Sequence, residues 1–213
     1  MPEMIVVLTQ QSPDFPTALS RATEGTGFSR FWAIGDVKIL INPLLGLLCS
    51  IRCPGRVIVQ TYDLARVLRD AGVPVIGGFH SPMEKECLDF LLRGKQPVVV
   101  CPARSITNMR MPTLWRKACD EGRLLILSPF APKHGRISAL FAEKRNRFVS
   151  LLADQFFIPY AAPGSKTEQL CQDLLRAGKR IYMFESERES SLAKAGTLTV
   201  NLDHFVAQLL RGR

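Results

Sequence analysis

The stretch Arg145-Asn146-Arg147, the apolar residues 148–160 that follow it, and Pro163-Gly164-Ser165-Lys166-Thr167-Glu168 decide the fold. The triplet reads as part of a helix over residues 137–152. A strand over 155–160 comes next, and a Gly-Ser turn then opens a second helix over 166–177. Helix, strand and helix in close succession belong to a parallel sheet covered by helices. The Gly-Ser turn leaves backbone N–H groups free at the positive end of a helix dipole, which is a natural anion seat. Arginines within reach suit such a seat to phosphate, because a guanidinium matches phosphate oxygens in pairs. Arg145 and Arg147 stand two apart, roughly 200° around a helix, so one faces the seat and the other packs or pairs.

Working outward, strands and helices alternate along the chain. Residues 44–50 read as a buried strand, 57–71 as a helix stopped by Gly72, and 73–76 as a strand ended by Gly77-Gly78. Ser81-Pro82 with Glu84 starts a helix that runs to Gly94, with serine as cap and proline in the first turn. Strands follow over 97–101, 124–127 and 180–184, with a helix over 111–122 and an amphipathic tail helix over 201–210. Pro159 sits awkwardly in a central strand, where it removes a ladder donor. The expected fold class is α/β: a Rossmann-like three-layer αβα domain with a mainly parallel sheet. Residues 1–36, punctuated by Gly and Pro, read as a short N-terminal lead-in, and 37–213 as the domain itself.

The charge is unevenly spread. The chain of 213 residues carries a net +9, and from Arg104 to Arg147 ten basic residues face only three acids, a local +7. Such a block favours a polyanion partner, against the plainer reading of an Arg-rich solvated surface. The six cysteines lie in apolar or helical patterns and the three histidines stand alone, which points to reduced thiols and no metal or other cofactor. No leader-like opening and no run of membrane-spanning length is present, so a cytoplasmic protein without membrane contact is expected.

In open α/β sheets the ligand crevice lies beyond the carboxyl ends of the strands. The first strand delivers Ser50 and Arg52 there, the second Gly77 and Gly78, and the fifth Gly164 and Ser165 with Lys166. Each has a plainer reading: Ser165 with Glu168 is a capping box, Gly77-Gly78 a tight turn, Arg52 half of a surface ion pair, and Glu84 a helix cap. His80 reads as exposed and incidental. Phe79, Phe141, Phe148 and Tyr160 are candidates for base stacking or, more simply, for the core. No G-x-G-x-x-G or Walker A pattern occurs, and no Ser-His-Asp or Cys-His set forms, so no catalytic residue is assigned.

These motifs, in this order, resemble the DNA-processing protein A family (DprA/Smf), Rossmann-like proteins related to the lysine-decarboxylase-like LOG enzymes. The likeness covers residues 15–199. Pro16 to Leu19 and Gly35-Asp36 fit the family's opening, Cys49-Ser50-Ile51-Arg52 stands at its G-S/T-R turn, and Gly77-Gly78-Phe79-His80 at its second glycine turn. Arg145-Asn146-Arg147 matches its R-N-R, and Gly164-Ser165-Lys166 echoes its Gly-Ser helix start. The chain departs from the pattern where Cys49 and Pro82 replace glycines. The resemblance implies a non-enzymatic homodimer that binds single-stranded DNA and hands it to a RecA-type recombinase in natural transformation or recombination. Phosphate contacts would fall to Ser50, Arg52, Gly77, Gly78, Arg145, Asn146, Arg147, Gly164, Ser165 and Lys166. Two alternatives stand beside it. One is a LOG-like nucleotide phosphoribohydrolase, for which Glu168 would bear on the ribose. The other is a nucleotide-sensing module acting through a partner.

Overall fold

Runs too short for helices and apolar on both sides of the pleat build the centre of a sheet. In the computed structural model, which describes residues 4–211, the elements follow in this order. They are β1 (Val6–Leu8), α1 (Thr17–Thr26), β2 (Phe31–Gly35), β3 (Leu45–Leu47), α2 (Gly55–Asp70), β4 (Val75–Gly77), α3 (Pro82–Leu92), β5 (Val98–Val100) and α4 (Thr113–Asp120). Then come β6 (Leu124–Ser128), α5 (Ala139–Leu152), β7 (Gln155–Phe157), α6 (Lys166–Arg176), β8 (Arg180–Phe184), α7 (Ser191–Lys194), β9 (Leu198–Val200) and α8 (Leu202–Arg211). Short 3-10 turns occupy Val37–Ile41 and Glu185–Glu187.

The nine strands form one sheet in the order β1-β2-β6-β5-β4-β3-β7-β8-β9. Every pairing from β6 to β9 is parallel, with registers such as Leu47↔Gly77 and Leu47↔Phe157. At the other edge β2 runs antiparallel to β6 (Trp32↔Ser128) and β1 antiparallel to β2, so residues 6–8 and 31–35 extend the same sheet.

Strand alternation divides the core in two. Val75, Val98 and Val100 point to the layer of α2, α3, α4 and α8, where Leu64, Leu68, Leu88, Leu91, Ala118 and Phe205 are buried. Ile76 and Val99 point to the layer of α1, α5 and α6, where Leu19, Phe148, Leu152, Cys171 and Leu174 are buried. The architecture is therefore the Rossmann-like three-layer α/β fold that the alternating pattern predicts. Some bounds differ. The strand expected over 44–50 is confined to Leu45–Leu47, and β7 stops at Phe157, before Pro159, so that proline removes no donor from the ladder. Helix α3 opens with the full capping box expected of Ser81 and Glu84, with Pro82 at its first turn.

Candidate nucleic-acid interface

From β3 the chain winds through β4 and β5 to β6 on one side, and from β7 through β8 to β9 on the other. The winding reverses between β3 and β7, which makes their carboxyl ends the place where an open α/β sheet leaves a crevice. Ser50 follows β3, Gly77 and Gly78 close β4, and Gly164 and Ser165 lie beyond β7. Two clusters of side chains gather on that edge.

The first centres on Arg145. This residue is 5% exposed, and its guanidinium reaches from α5 over the edge of the sheet. Nη1 donates to the Cys101 carbonyl just beyond β5 (3.0 Å), and Nε donates to Asn146 Oδ1 (2.8 Å). Gly78 lies directly beneath, since a Cβ there would collide with the guanidinium. Burial pulls the Arg145 pKa below its ordinary value, while the charge of Glu84 and then Cys101 oppose the shift. Glu84, itself buried, accepts from the His80 and Ser81 N–H groups (3.0 and 2.9 Å). Glu84 thus holds the turn after β4 from the α3 layer, and the buried Arg145 packs over Gly78 from the α5 layer. That turn also carries backbone strain: Phe79 has φ +46°, a conformation rare for a bulky residue and concentrated at functional sites.

The second cluster is the corner between β3 and α6. Ser50 Oγ accepts from the Ala162 N–H (3.0 Å) and lies 3.4 Å from Ser165 Oγ. Ser165 caps α6 by accepting from the Glu168 N–H (3.2 Å). Gly164 holds φ +71°, the left-handed geometry that glycine adopts most easily. Its N–H does not point at open solvent: it donates to Glu168 Oε2 (2.7 Å), and the other carboxylate oxygen accepts from Ser191 Oγ on α7. The Lys166 and Thr167 N–H groups, at the first turn of α6, have no partner among the described residues. The Lys166 side chain pairs with Glu143 on α5 (2.7 Å).

The remaining predicted residues lie apart from these clusters. Arg147 is exposed on α5 on a different face from Arg145, and Arg52 projects from the exposed turn after β3. Neither has an ion-pair partner among the described residues. Of the aromatic candidates, Phe79 and Phe148 are buried, whereas Phe141, packed edge-on against His134 and tilted against Phe130, and Tyr160 are both partly accessible. Burial pushes the Cys87, Cys101 and Cys171 thiols up to about 12 and the Cys49 thiol higher still, so these sulfurs are protonated at neutral pH.

No family model and no curated relative matches the sequence. Solved structures do match. The chain superposes on DNA processing protein A from Helicobacter pylori with a TM-score of 0.78 at 19% identity, covering 99% of this chain and 98% of that one. The fold is that of DNA processing protein A. The Streptococcus pneumoniae protein of the same name gives 0.77 at 14% identity, over 96% of this chain and 74% of that one. The molybdenum cofactor binding protein from Rippkaea orientalis gives 0.55 at 11% identity over 80% of this chain, a more distant likeness. The H. pylori structure describes that protein's binding of single-stranded DNA.

The Gly-Ser corner and the R-N-R triplet were visible as motifs, whereas three participants were not. The Cys101 carbonyl is a main-chain group with no sequence signal. Glu143 and Ser191 are ordinary polar residues whose roles appear only when α5, α6 and α7 are packed.

Proposed function

We propose that this protein binds single-stranded DNA along the carboxyl edge of its sheet, as a non-enzymatic DprA-like protein. The observation that carries the reading is a run of cations without counter-charges beside the two clusters. Arg104 and Arg110 follow β5, Lys133 and Arg136 follow β6, and Lys144 and Arg147 lie on α5. None of the six makes an ion pair among the described residues. Asp120 and Glu121, two of the three acids in this stretch, sit at the far end of α4, where the chain turns back toward the start of β6. The loops after β5 and β6 are tied together, with Ser105 N–H donating to the His134 carbonyl (2.8 Å) and Ser128 Oγ to the Arg104 carbonyl (2.7 Å). Cations held on tied loops without carboxylates to neutralise them form the electrostatic footprint of a polyanion site.

In this reading Ser50, Gly77, Gly78, Asn146, Gly164, Ser165 and Lys166 shape the floor of the site, and Arg52 and Arg147 reach phosphates from its rim. Arg145 packs over the β4 turn at Gly78, and its hydrogen bonds go to the Cys101 carbonyl and to Asn146. The same reading makes the protein a cytoplasmic homodimer that passes its strand to a RecA-type recombinase. No described helix is long and apolar enough to cross a membrane.

A titration of fluorescent oligo-dT tests the proposal. Affinity should fall at least tenfold between about 50 and about 200 mM salt, as the release of several counterions requires. Equal affinity for duplex, or no binding at the lower salt, would refute it.

A further inference from the structure

We propose that Cys49 and Cys53 form a reversible disulfide when a peroxide reaches the turn after β3, and that this bridge draws Arg52 away from the DNA backbone. The bridge stands on the arrangement of the two thiols alone, whereas its effect on binding rests on the single-strand reading above.

All six cysteines are free thiols, and four of them are enclosed or otherwise bonded. Cys101 and Cys171 are fully buried in the core. Cys87 is buried as well and donates to the Thr61 carbonyl (3.7 Å), and Cys119 donates to the Leu124 carbonyl (3.5 Å). Cys49 and Cys53 differ. They stand four residues apart across one turn, pack against the same core layer, and are both partly accessible. Their thiols share a hydrogen bond, so the two sulfurs already face one another. Burial raises the pKa of both. The shared hydrogen bond raises Cys49 further but opposes the rise at Cys53, so Cys53 is the first of the pair to ionise.

Disulfide formation needs an accessible attacking sulfur with a second thiol beside it, and this pair supplies both. The Cys53 thiolate attacks one oxygen of hydrogen peroxide and the O–O bond breaks. The hydroxide that leaves takes up the proton lost by the thiol and becomes water. Cys53 is then a sulfenic acid facing Cys49, whose sulfur attacks it. The S–O bond breaks, and the departing oxygen takes the Cys49 proton and leaves as a second water. Two thiols lose two electrons and one peroxide gains them. The new ring encloses Ser50, Ile51 and Arg52. Ser50 is anchored, since its N–H donates to the Tyr160 carbonyl (3.0 Å) and its Oγ accepts from the Ala162 N–H (3.0 Å). Ile51 and Arg52 are exposed and make no hydrogen bond among the described residues. Closing the bridge therefore moves the Arg52 limb of the turn, and the guanidinium leaves the rim with it. A bridge at so exposed a turn is of the readily reduced, regulatory kind.

The test uses the full chain, hydrogen peroxide as oxidant and fluorescent oligo-dT as probe. Oxidised wild type should lose two hydrogens in mass, peptide mapping should place the bridge between Cys49 and Cys53, and dithiothreitol should reverse it. The bridged form should bind oligo-dT more weakly. Its slope of log affinity against log salt should drop by roughly 0.7, the share of one single-strand phosphate contact. Cys53→Ser, a change at a partly accessible position, should bind as the reduced wild type does and ignore peroxide. Arg52→Ala should still form the bridge but bind alike in both redox states. Thiols that stay free in peroxide, or pair elsewhere, overturn the inference. So does a bridged wild type with undiminished affinity, or an undiminished redox effect in Arg52→Ala. Failure of the reduced wild type to bind oligo-dT removes the single-strand reading and the effect on binding, while the mapping decides the bridge separately.

Discussion

At the scale of single residues, Gly78 and Arg145 are one unit. They lie 67 positions apart in the sequence, yet the absent Cβ of the first is the space filled by the guanidinium of the second. Gly78→Ala should destabilise the protein by about 1–3 kcal/mol, the usual cost of overpacking a filled site. For a chain of this length that is a fall in Tm of roughly 2–12 °C. The double variant Gly78→Ala/Arg145→Ala should be less destabilised than the sum of the two single variants, because the collision disappears with the side chain. Additive losses measured by thermal denaturation would show that the two do not share their space. Sequence reasoning found both residues as motif members. Nothing local reveals that Arg145 bonds to the Cys101 carbonyl and to Asn146. That information is tertiary. The splay of Arg145 and Arg147, by contrast, follows from helix geometry alone, and the chain buries one and exposes the other.

At the scale of elements, legibility followed the strength of the local signal. Helices with strong caps and wide apolar stripes, such as α3 and α6, were readable within a residue or two at their starts. The edge strands β1 and β9, and β2 beside β1, were not, because three to five residues with mixed exposure carry no period, and their pairing is settled by the neighbouring strand. The start of α6 also has a measurable acid dependence. Ser191 and the Gly164 N–H hold the Glu168 pKa below its unfolded value, so the carboxylate favours folding above the ordinary Glu range near about 4.3. That contribution fades as pH falls through the folded value. The wild type should therefore melt above Glu168→Gln at pH 7, and the gap should close as the pH is lowered toward about 3. A gap independent of pH, followed by circular dichroism, would mean that the carboxylate charge does nothing for the fold.

At the scale of the whole molecule, the carboxyl edge of the sheet is electrically divided. The loops after β5 and β6 carry Arg104, Arg110, Lys133 and Arg136 with no acid between them. Beyond β8, Glu185, Glu187 and Glu189 accompany Arg188, and Glu187 is already paired with Arg56 (2.8 Å). The division was partly legible, since the +7 block is a count along the chain. Its placement on one half of one edge required the strand order. A polyanion crossing the switch point between β3 and β7 is therefore drawn toward β6 and turned away from β9. Replacing Lys133 and Arg136 together by serine should weaken oligo-dT binding and reduce the slope of log affinity against log salt by roughly 1.4, at about 0.7 for each lost contact to a single strand. Replacing Glu185 and Glu189 by glutamine should leave the slope unchanged, because those carboxylates neutralise no phosphate. Both exposed pairs lie outside the core, so neither change should shift the melting temperature appreciably. An unaltered slope in the serine variant, or an equal change in the glutamine variant, would place the strand on another surface.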